Sequence, residues 1–465
     1  MPEISLSELA QATGGELLRG DPGTRVGTFE IDTRRLKRGG VFFALEGKHQ
    51  DGHKFLGDAA ERGAAGAVVE RVPDEGQRSP EALVRVDDGV EALGSCGRWV
   101  RRSLKKKKWI AVTGSNGKTT TKELLAEGLA AGSRVHRTPG NFNNHLGVPL
   151  SLLACPADAE TIVLELGMSG HGEIARLTEM VDPDIGLLTN VRAAHLEAFD
   201  SLDDIAAAKG EMFAVMRDKA TAVVNLDDPH VRIQAARHAG PRVTFGQHPT
   251  CDLRMEDLQN RFHPGTNLIF RHSDQSYRVR LRIGGAHTAF NALAAAAVVI
   301  AAGADLMQAL ERMERVEAGA GRGRVHHLRD RMMLVDDSYN SSPSAMASVL
   351  ETLRISEPPG RRVLVMGDML ELGRMEGALH REAGKRAAAA GVQLLFAVGP
   401  LSRAAAETAR RAGVPEVHHH QDSARAAESI VEFLKEGDLI VVKGSRGMRM
   451  ERVVHALVEQ CGEAA

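Results

Sequence analysis

The sequence predicts a three-domain α/β protein, and three observations predict it. Apolar runs of strand length alternate with helical patterns along the chain, the rhythm of parallel sheets covered by helices. A glycine-rich turn joins one such strand to one such helix within Trp109-Ile-Ala-Val-Thr-Gly-Ser-Asn-Gly-Lys-Thr-Thr-Thr121. The length, 465 residues, is about three times the usual ~150-residue domain.

The first unit, 1–104, is a small α/β domain. Ser5 and Glu8 form a capping-box signature for an opening helix, and apolar runs at 40–45 and 66–69 alternate with helical stretches. Asp32-Thr33-Arg34 and Asp51-Gly52-His53 stand beside glycines and strand ends. By themselves they read as ordinary turn chemistry. The lysine run 105–108 is a solvated boundary with no interleaved aromatic residues, so it is not read as a nucleic-acid patch.

The second unit, 105–316, carries the glycine-rich turn. Buried strands are predicted at 162–166, 185–189 and 222–225, giving a mostly parallel sheet of the phosphate-loop ATPase type. Ligands in such sheets sit beyond the carboxyl ends of the strands, where Glu165, Asn190 and Asn225 stand. The alternation in 277–283 marks a half-exposed antiparallel strand, and the alanine-rich stretch after Asn291 a helix. The third unit, 317–465, follows the Gly- and Arg-rich stretch 318–324. Its strands at 333–335, 363–366, 394–398 and 439–442 alternate with helices such as 404–412, a Rossmann-like doubly wound domain.

Composition bounds the function. A net charge of −2 argues against nucleic acid or a membrane surface as partner. The four cysteines are far apart, with neither metal spacing nor a disulfide pattern, as in a reducing cytosol. No signal peptide or bilayer-length apolar run is visible, so a cytoplasmic protein without membrane insertion, acting as a monomer, is expected.

Chemistry concentrates around the turn. Gly114, Ser115, Asn116 and Gly117 present backbone N–H groups and a helix N-terminus to an anion. Lys118 reaches the outer phosphates, and the Thr119 hydroxyl, followed by Thr120, is placed to ligate Mg²⁺. Val112 stands where the general phosphate-loop pattern has its first glycine, so this is a shorter variant. Glu165 ends an apolar strand and is either a Mg²⁺ ligand or half of a structural ion pair. His195 lies just beyond a strand end, where a ligand role and a structural one are both open. Lys209 shares a helical face with Leu202, Ile205, Ala206, Met212 and Phe213. Held there, a lysine has a lowered pKa and a nucleophilic amine able to add carbon dioxide, giving a carbamate that could ligate Mg²⁺. A lysine snorkelling at the edge of the stripe is the alternative. Asn141, Asn143 and Asn144 make an amide-rich loop, and Asp336-Asp-Ser-Tyr-Asn340, Gly367-Asp368 and Lys443-Gly-Ser-Arg446 follow strands of the third unit.

These motifs, in this order over essentially the whole chain, resemble the Mur ligase family. The elements are Thr113-Gly-Ser-Asn-Gly-Lys-Thr-Thr120, the loop 141–149, Glu165-Leu-Gly-Met, 190–195 and Ala208-Lys-Gly-Glu211. The third-domain signatures resemble the branch that adds D-alanyl-D-alanine to UDP-N-acetylmuramoyl-tripeptide. The resemblance implies an ATP-dependent ligase of cell-wall synthesis working through an acyl phosphate. It implies one Mg²⁺ on Thr119 and Glu165, and a second on His195 and a carbamylated Lys209. Asn291 would meet adenine, with Arg324 and Asp337 near ribose and phosphates, while Tyr339 and Asn340 would join the substrate loops. Asp32, Thr33, Arg34, Asp51, Gly52 and His53 would line the uridine-nucleotide site, and Asn141, Asn143 and Asn144 the sugar-peptide. Thr288 departs from the family pattern, which often carries asparagine there, at one expected adenine-side contact. The rivals are a ligase for a single amino acid, a folate polyglutamylating enzyme and a phosphate-loop switch or motor ATPase.

Overall fold

The computed structural model describes residues 3–47, 50–193, 197 and 199–463. Among these, strands form sheets of five, nine and six strands and one two-stranded ribbon, a three-domain α/β architecture. The first helix, Leu6–Thr13, begins at the expected capping box: Ser5 Oγ accepts from Glu8 N at 3.1 Å, and Ser5 N donates to Glu8 Oε2 at 2.7 Å.

The five-stranded sheet runs Glu16–Arg19, Ala82–Arg85, Gly66–Val69, Val41–Ala44, Phe29–Glu30, its last four strands parallel. Val41–Ala44 and Gly66–Val69 are buried at every residue, which is why they read as unbroken apolar runs. The 3₁₀ turns Thr33–Arg35 and Gly52–Phe55 follow neighbouring parallel strands, so the Asp32 and Asp51 clusters share one edge of this sheet.

The nine-stranded sheet runs Gln275–Leu281, Thr266–His272, Leu253–Asn260, Arg242–Gly246, Thr221–Asn225, Ile185–Leu188, Lys108–Thr113, Thr161–Glu165, Val135–Arg137. It is parallel from Val135–Arg137 to Leu253–Asn260, and an antiparallel hairpin extends it. In Gln275–Leu281 the arginines face outward while Tyr277, Val279 and Leu281 are buried, as the alternation predicts. The alanine-rich helix spans Ala286–Ala301, so it starts earlier than expected and holds Asn291 within it; Gly285, at φ 107°, turns the chain into it.

The six-stranded sheet runs Arg324–His327, Met333–Asp337, Leu439–Lys443, Arg362–Gly367, Leu394–Val398, Glu416–His420, parallel except at its first edge. Alternate residues of its strands feed two apolar clusters on opposite faces. The first two domains, by contrast, share one cluster that runs from Leu9 and Val100 to Leu152 and Phe213. Phe262, from the central hairpin, inserts into a third-domain cluster. No described helix is long and apolar enough to cross a membrane.

Candidate active site

The chain leaves the strand Lys108–Thr113 through Gly114 and Gly117 and enters the helix Lys118–Leu129. Both glycines have positive φ, 145° and 82°. A Cβ on Gly114 would strike Thr189 Oγ1, and one on Gly117 would strike Asn291 Oδ1. Glycine is therefore demanded by conformation and by contact at once. Val112 is buried inside the strand, so the short loop makes its turn after that point. The segment beyond Ile185–Leu188 braces the loop: Thr189 Oγ1 and Asn190 Nδ2 donate to Asn116 O at 2.8 and 3.1 Å, and Arg192 N donates to Ser115 Oγ at 2.8 Å.

Lys118 Nζ donates to Gly114 O at 2.8 Å and Ser115 O at 3.2 Å. Burial pushes its pKa down; Glu165 opposes that shift and the Arg322 guanidinium adds to it. Glu165 is 1% exposed, and its two oxygens are divided between loops. Oε2 accepts from Thr119 Oγ1 at 2.9 Å, and Oε1 accepts from Asn143 Nδ2 at 2.7 Å. Thr119 and Glu165 thus set two hard oxygens side by side, which fits a magnesium ion completed by water and phosphate. Among the described residues no three His, Cys, Asp or Glu side chains gather as a protein-only metal cage.

Lys209, on the helix Leu202–Val215, is 2% exposed. Burial drives its pKa well below the ordinary lysine value, and the Lys118 ammonium adds to the shift. Among the described residues no carboxylate pairs with it. The expected His195 lies outside the described residues.

The third domain supplies the facing wall. Lys443 Nζ donates to Asp337 Oδ2 at 2.7 Å and to Asn340 O at 3.0 Å. Arg322 lies over the Tyr339 ring at 4.0 Å, and Arg446 stands 5.6 Å from that ring's centre. Arg324 is corrected by the structure: it opens the edge strand Arg324–His327 and does not line the cleft, whereas Arg322 does. The strand begins only after Gly323, and the loop before it carries Arg322 under Tyr339. Asn291 is buried, and its Nδ2 has no partner among the described residues. The Thr288 hydroxyl donates to Gly284 O at 3.1 Å, within its own turn of the chain.

These elements enclose one cavity of about 780 Å³, lined by residues from both domains. Of the expected residues it takes in Ser115, Asn116, Gly117, Lys118, Thr119, Thr120, Asn141, Asn143, Asn144, Glu165, Lys209, Asn291, Asp337, Tyr339 and Asn340. Asn116 Nδ2 donates to Ser344 Oγ at 2.8 Å across it. Gly114, in the turn, is not among its lining residues. The first-domain clusters stand apart from this cavity. Asp32 caps Thr33–Arg35 and grips Arg34 at 2.7 Å, while Thr33 is buried and Arg35 lies 4.9 Å over Phe142, next to the asparagine loop. Asp51 caps the turn beginning at Gly52 and accepts from His53 Nδ1 at 2.8 Å. His53 Nε2 accepts from Glu70 N at 3.1 Å, so both ring nitrogens are spent inside the domain and the expected ligand role of His53 is not supported.

Two residues escaped the sequence reading. Arg322 sits two positions before Arg324, in Gly-Arg-Gly-Arg, where only the loop's path separates them. Lys122 is fully buried, although its place on the helix resembles that of an exposed lysine; its spacing of four from Lys118 was the available signal.

Comparison with known proteins bears on this cleft. The family model described as Mur ligase middle domain matches residues 112–299, and that described as Mur ligase, glutamate ligase domain matches 311–446. The chain is 35% identical to UDP-N-acetylmuramoyl-tripeptide--D-alanyl-D-alanine ligase of Escherichia coli over 99% of each chain. The structure of MurF from Acinetobacter baumannii superposes with a TM-score of 0.89 at 29% identity, over 99% of this chain and 100% of that one. MurF ligase from Thermotoga maritima in complex with ADP gives 0.81 at 29% identity, over 93% and 97%.

Proposed function

The chain belongs to the Mur ligase family, and on that premise we propose that it joins D-alanyl-D-alanine to UDP-N-acetylmuramoyl-tripeptide while cleaving ATP to ADP and phosphate. One observation carries the reading: a single cavity brings the phosphate loop, the asparagine loop and the polar wall of the third domain together. The domains would be 1–104 for the uridine nucleotide, 105–316 for ATP and 317–465 for the dipeptide, in a cytoplasmic monomer.

The tripeptide's terminal carboxylate attacks the γ-phosphorus of ATP, ADP departs, and an acyl phosphate remains. The dipeptide amine then adds to that carbonyl carbon. The tetrahedral adduct loses phosphate and a proton, leaving the amide. The first step brings two anions together, so its catalysis is largely positioning and charge neutralisation. Lys118 and the N–H groups of residues 117–119 would hold the β- and γ-phosphates, as the positive end of a helix favours, while the N–H groups of Ser115 and Asn116 are taken by Asn190. Asn291 Nδ2, a buried donor with no partner among the described residues, suits an acceptor nitrogen of adenine. Asp337 takes the ribose hydroxyls, and Arg322, in place of Arg324, the phosphates. Asn141, Asn143 and Asn144 orient the sugar-peptide beside Glu165, with Tyr339 and Asn340 on the dipeptide side. Asp32, Thr33, Arg34, Asp51 and Gly52 offer the uridine end a polar sheet edge.

Thr119 and Glu165 would hold a magnesium ion, which when bound neutralises charge between the phosphate and the carboxylate. Lys209, whose burial lowers its pKa and so favours the neutral amine more than in an ordinary lysine, would take up carbon dioxide and, with His195, hold a second.

Phosphate release tests the reading: it should require ATP, the UDP-linked tripeptide and D-alanyl-D-alanine together. Equal turnover with a single L-amino acid would instead assign the chain to another amine specificity, and ATP hydrolysis with no amine at all would assign it to a switch or motor ATPase.

A further inference from the structure

Lys122 has no part in the steps above, yet its side chain is 0% exposed. It lies one helical turn beyond Lys118, in Lys118–Leu129. Its Nζ donates to Thr138 O and Gly140 O, both at 2.8 Å, and stands 3.1 Å from Glu123 Oε1 and 3.7 Å from Glu165 Oε2. Glu123 is held in turn by Arg137 at 2.6 Å. A buried ammonium is tolerated only where such partners surround it, so this arrangement is specific and not incidental.

The two carbonyls belong to the segment that runs directly into Asn141, Asn143 and Asn144. Thr138 Oγ1 also accepts from Glu165 N at 2.9 Å, and Asn143 Nδ2 returns to Glu165 Oε1 at 2.7 Å. Lys122, residues 138–140, Asn143 and Glu165 therefore close a ring. One side of that ring is the helix whose first turn faces the phosphates, and the other is the loop that faces the second substrate.

We propose that Lys122 is a positioning residue that couples nucleotide binding to binding of the UDP-linked substrate. An anion at Lys118 and Thr119 fixes the first turn of the helix. Lys122, on the next turn, fixes 138–140 and with them the asparagines. A loop ordered in advance spares the second ligand that cost, which is positive coupling between two sites. The inference rests on the proposed function, which assigns ATP and the sugar-peptide to these two loops.

Calorimetric titration of the UDP-linked tripeptide, with and without ADP, tests it. In the unmodified protein ADP should tighten that binding on the order of tenfold. Lys122→Met should bring the ratio close to one, and Lys122→Arg should keep only part of it. A side chain that merely fills the core would weaken both affinities together and leave the ratio intact, and that result overturns the proposal. If Lys122→Met does not fold, an unchanged ratio in Lys122→Arg overturns it equally. Hydrogen exchange of 138–145 in the unmodified protein gives a second readout that needs no UDP-linked substrate: ADP should slow it, and unaltered exchange overturns the coupling. Failure of the unmodified protein to bind the UDP-linked tripeptide would instead defeat the proposed function, leaving the exchange result to judge the coupling.

Discussion

The two walls of the cleft obey one rule of construction and end in opposite electrical states. Each sets polar residues at the carboxyl ends of buried parallel strands. On the third-domain side these charges are answered within the domain. Lys443 meets Asp337, Asp336 accepts from Gly321 N and Ser338 Oγ, and Asp368 accepts from the backbone of Leu401 and Ser402. On the central side Lys118 and Lys122 stand near Glu165 and Lys209 near Lys118, and burial drives the pKa values of Lys118 and Lys209 down. The central wall thus holds buried lysines, two of which resist their charge until an anion arrives, while the third domain offers a preassembled surface. Stability is given up on one wall and kept on the other.

Three substitutions probe that contrast. Lys118→Ala should have the largest effect, lowering turnover on the order of 10³-fold while leaving the unfolding midpoint nearly unchanged. A comparable loss of stability would mean that the lysine is structural and the contrast false. Asp337→Asn strikes the paired wall and leaves Lys443 buried without its carboxylate. Chemical denaturation should report a loss of about 3 kcal/mol, the cost of breaking a buried pair. A loss near zero would show that this wall, too, is held together by something other than its charges.

Lys209→Met should have the smallest effect, and its sign is the informative part. The unfolded chain protonates this amine below the ordinary lysine value of 10.5, whereas the native state resists the charge because the amine is buried. The native state is therefore penalised as pH falls from 10.5 toward the lowered native pKa, and fully penalised below it. Methionine removes the penalty. In bicarbonate-free buffer near neutral pH the melting temperature should rise by about 3 °C, a gain that vanishes as pH climbs through the ordinary lysine value. A gain that persists at high pH would point to better packing instead of lost charge.

Much of this cleft was legible because its signals are local. The phosphate loop declares itself within a dozen residues, since a strand, two left-handed glycines and a helix start are all short-range features. Glu165 and Asp337 were legible as carboxylates at strand ends, and Lys209 as a lysine on an apolar stripe. Lys122 was hidden because its burial comes from the crossing of the 138–140 segment, a tertiary contact that its spacing of four from Lys118 does not specify. Arg322 and Arg324 differ only in which side of a strand start they occupy. His53 was implied as a ligand by the family resemblance alone, and both its ring nitrogens are engaged within its own domain.

By itself the sequence determined the three α/β units, the loop that turns at Gly114 and Gly117, and the strand ends from which polar residues project. Each depends on backbone conformation and hydrophobic periodicity, which act over a few residues. Tertiary structure alone decided which of those ends meet: that Asn291 seats against Gly117, that Asn116 reaches Ser344, and that the first two domains share one core while the third joins through Phe262 and hydrogen bonds. Those contacts join residues distant along the chain, where packing and complementary polarity select partners and local pattern does not.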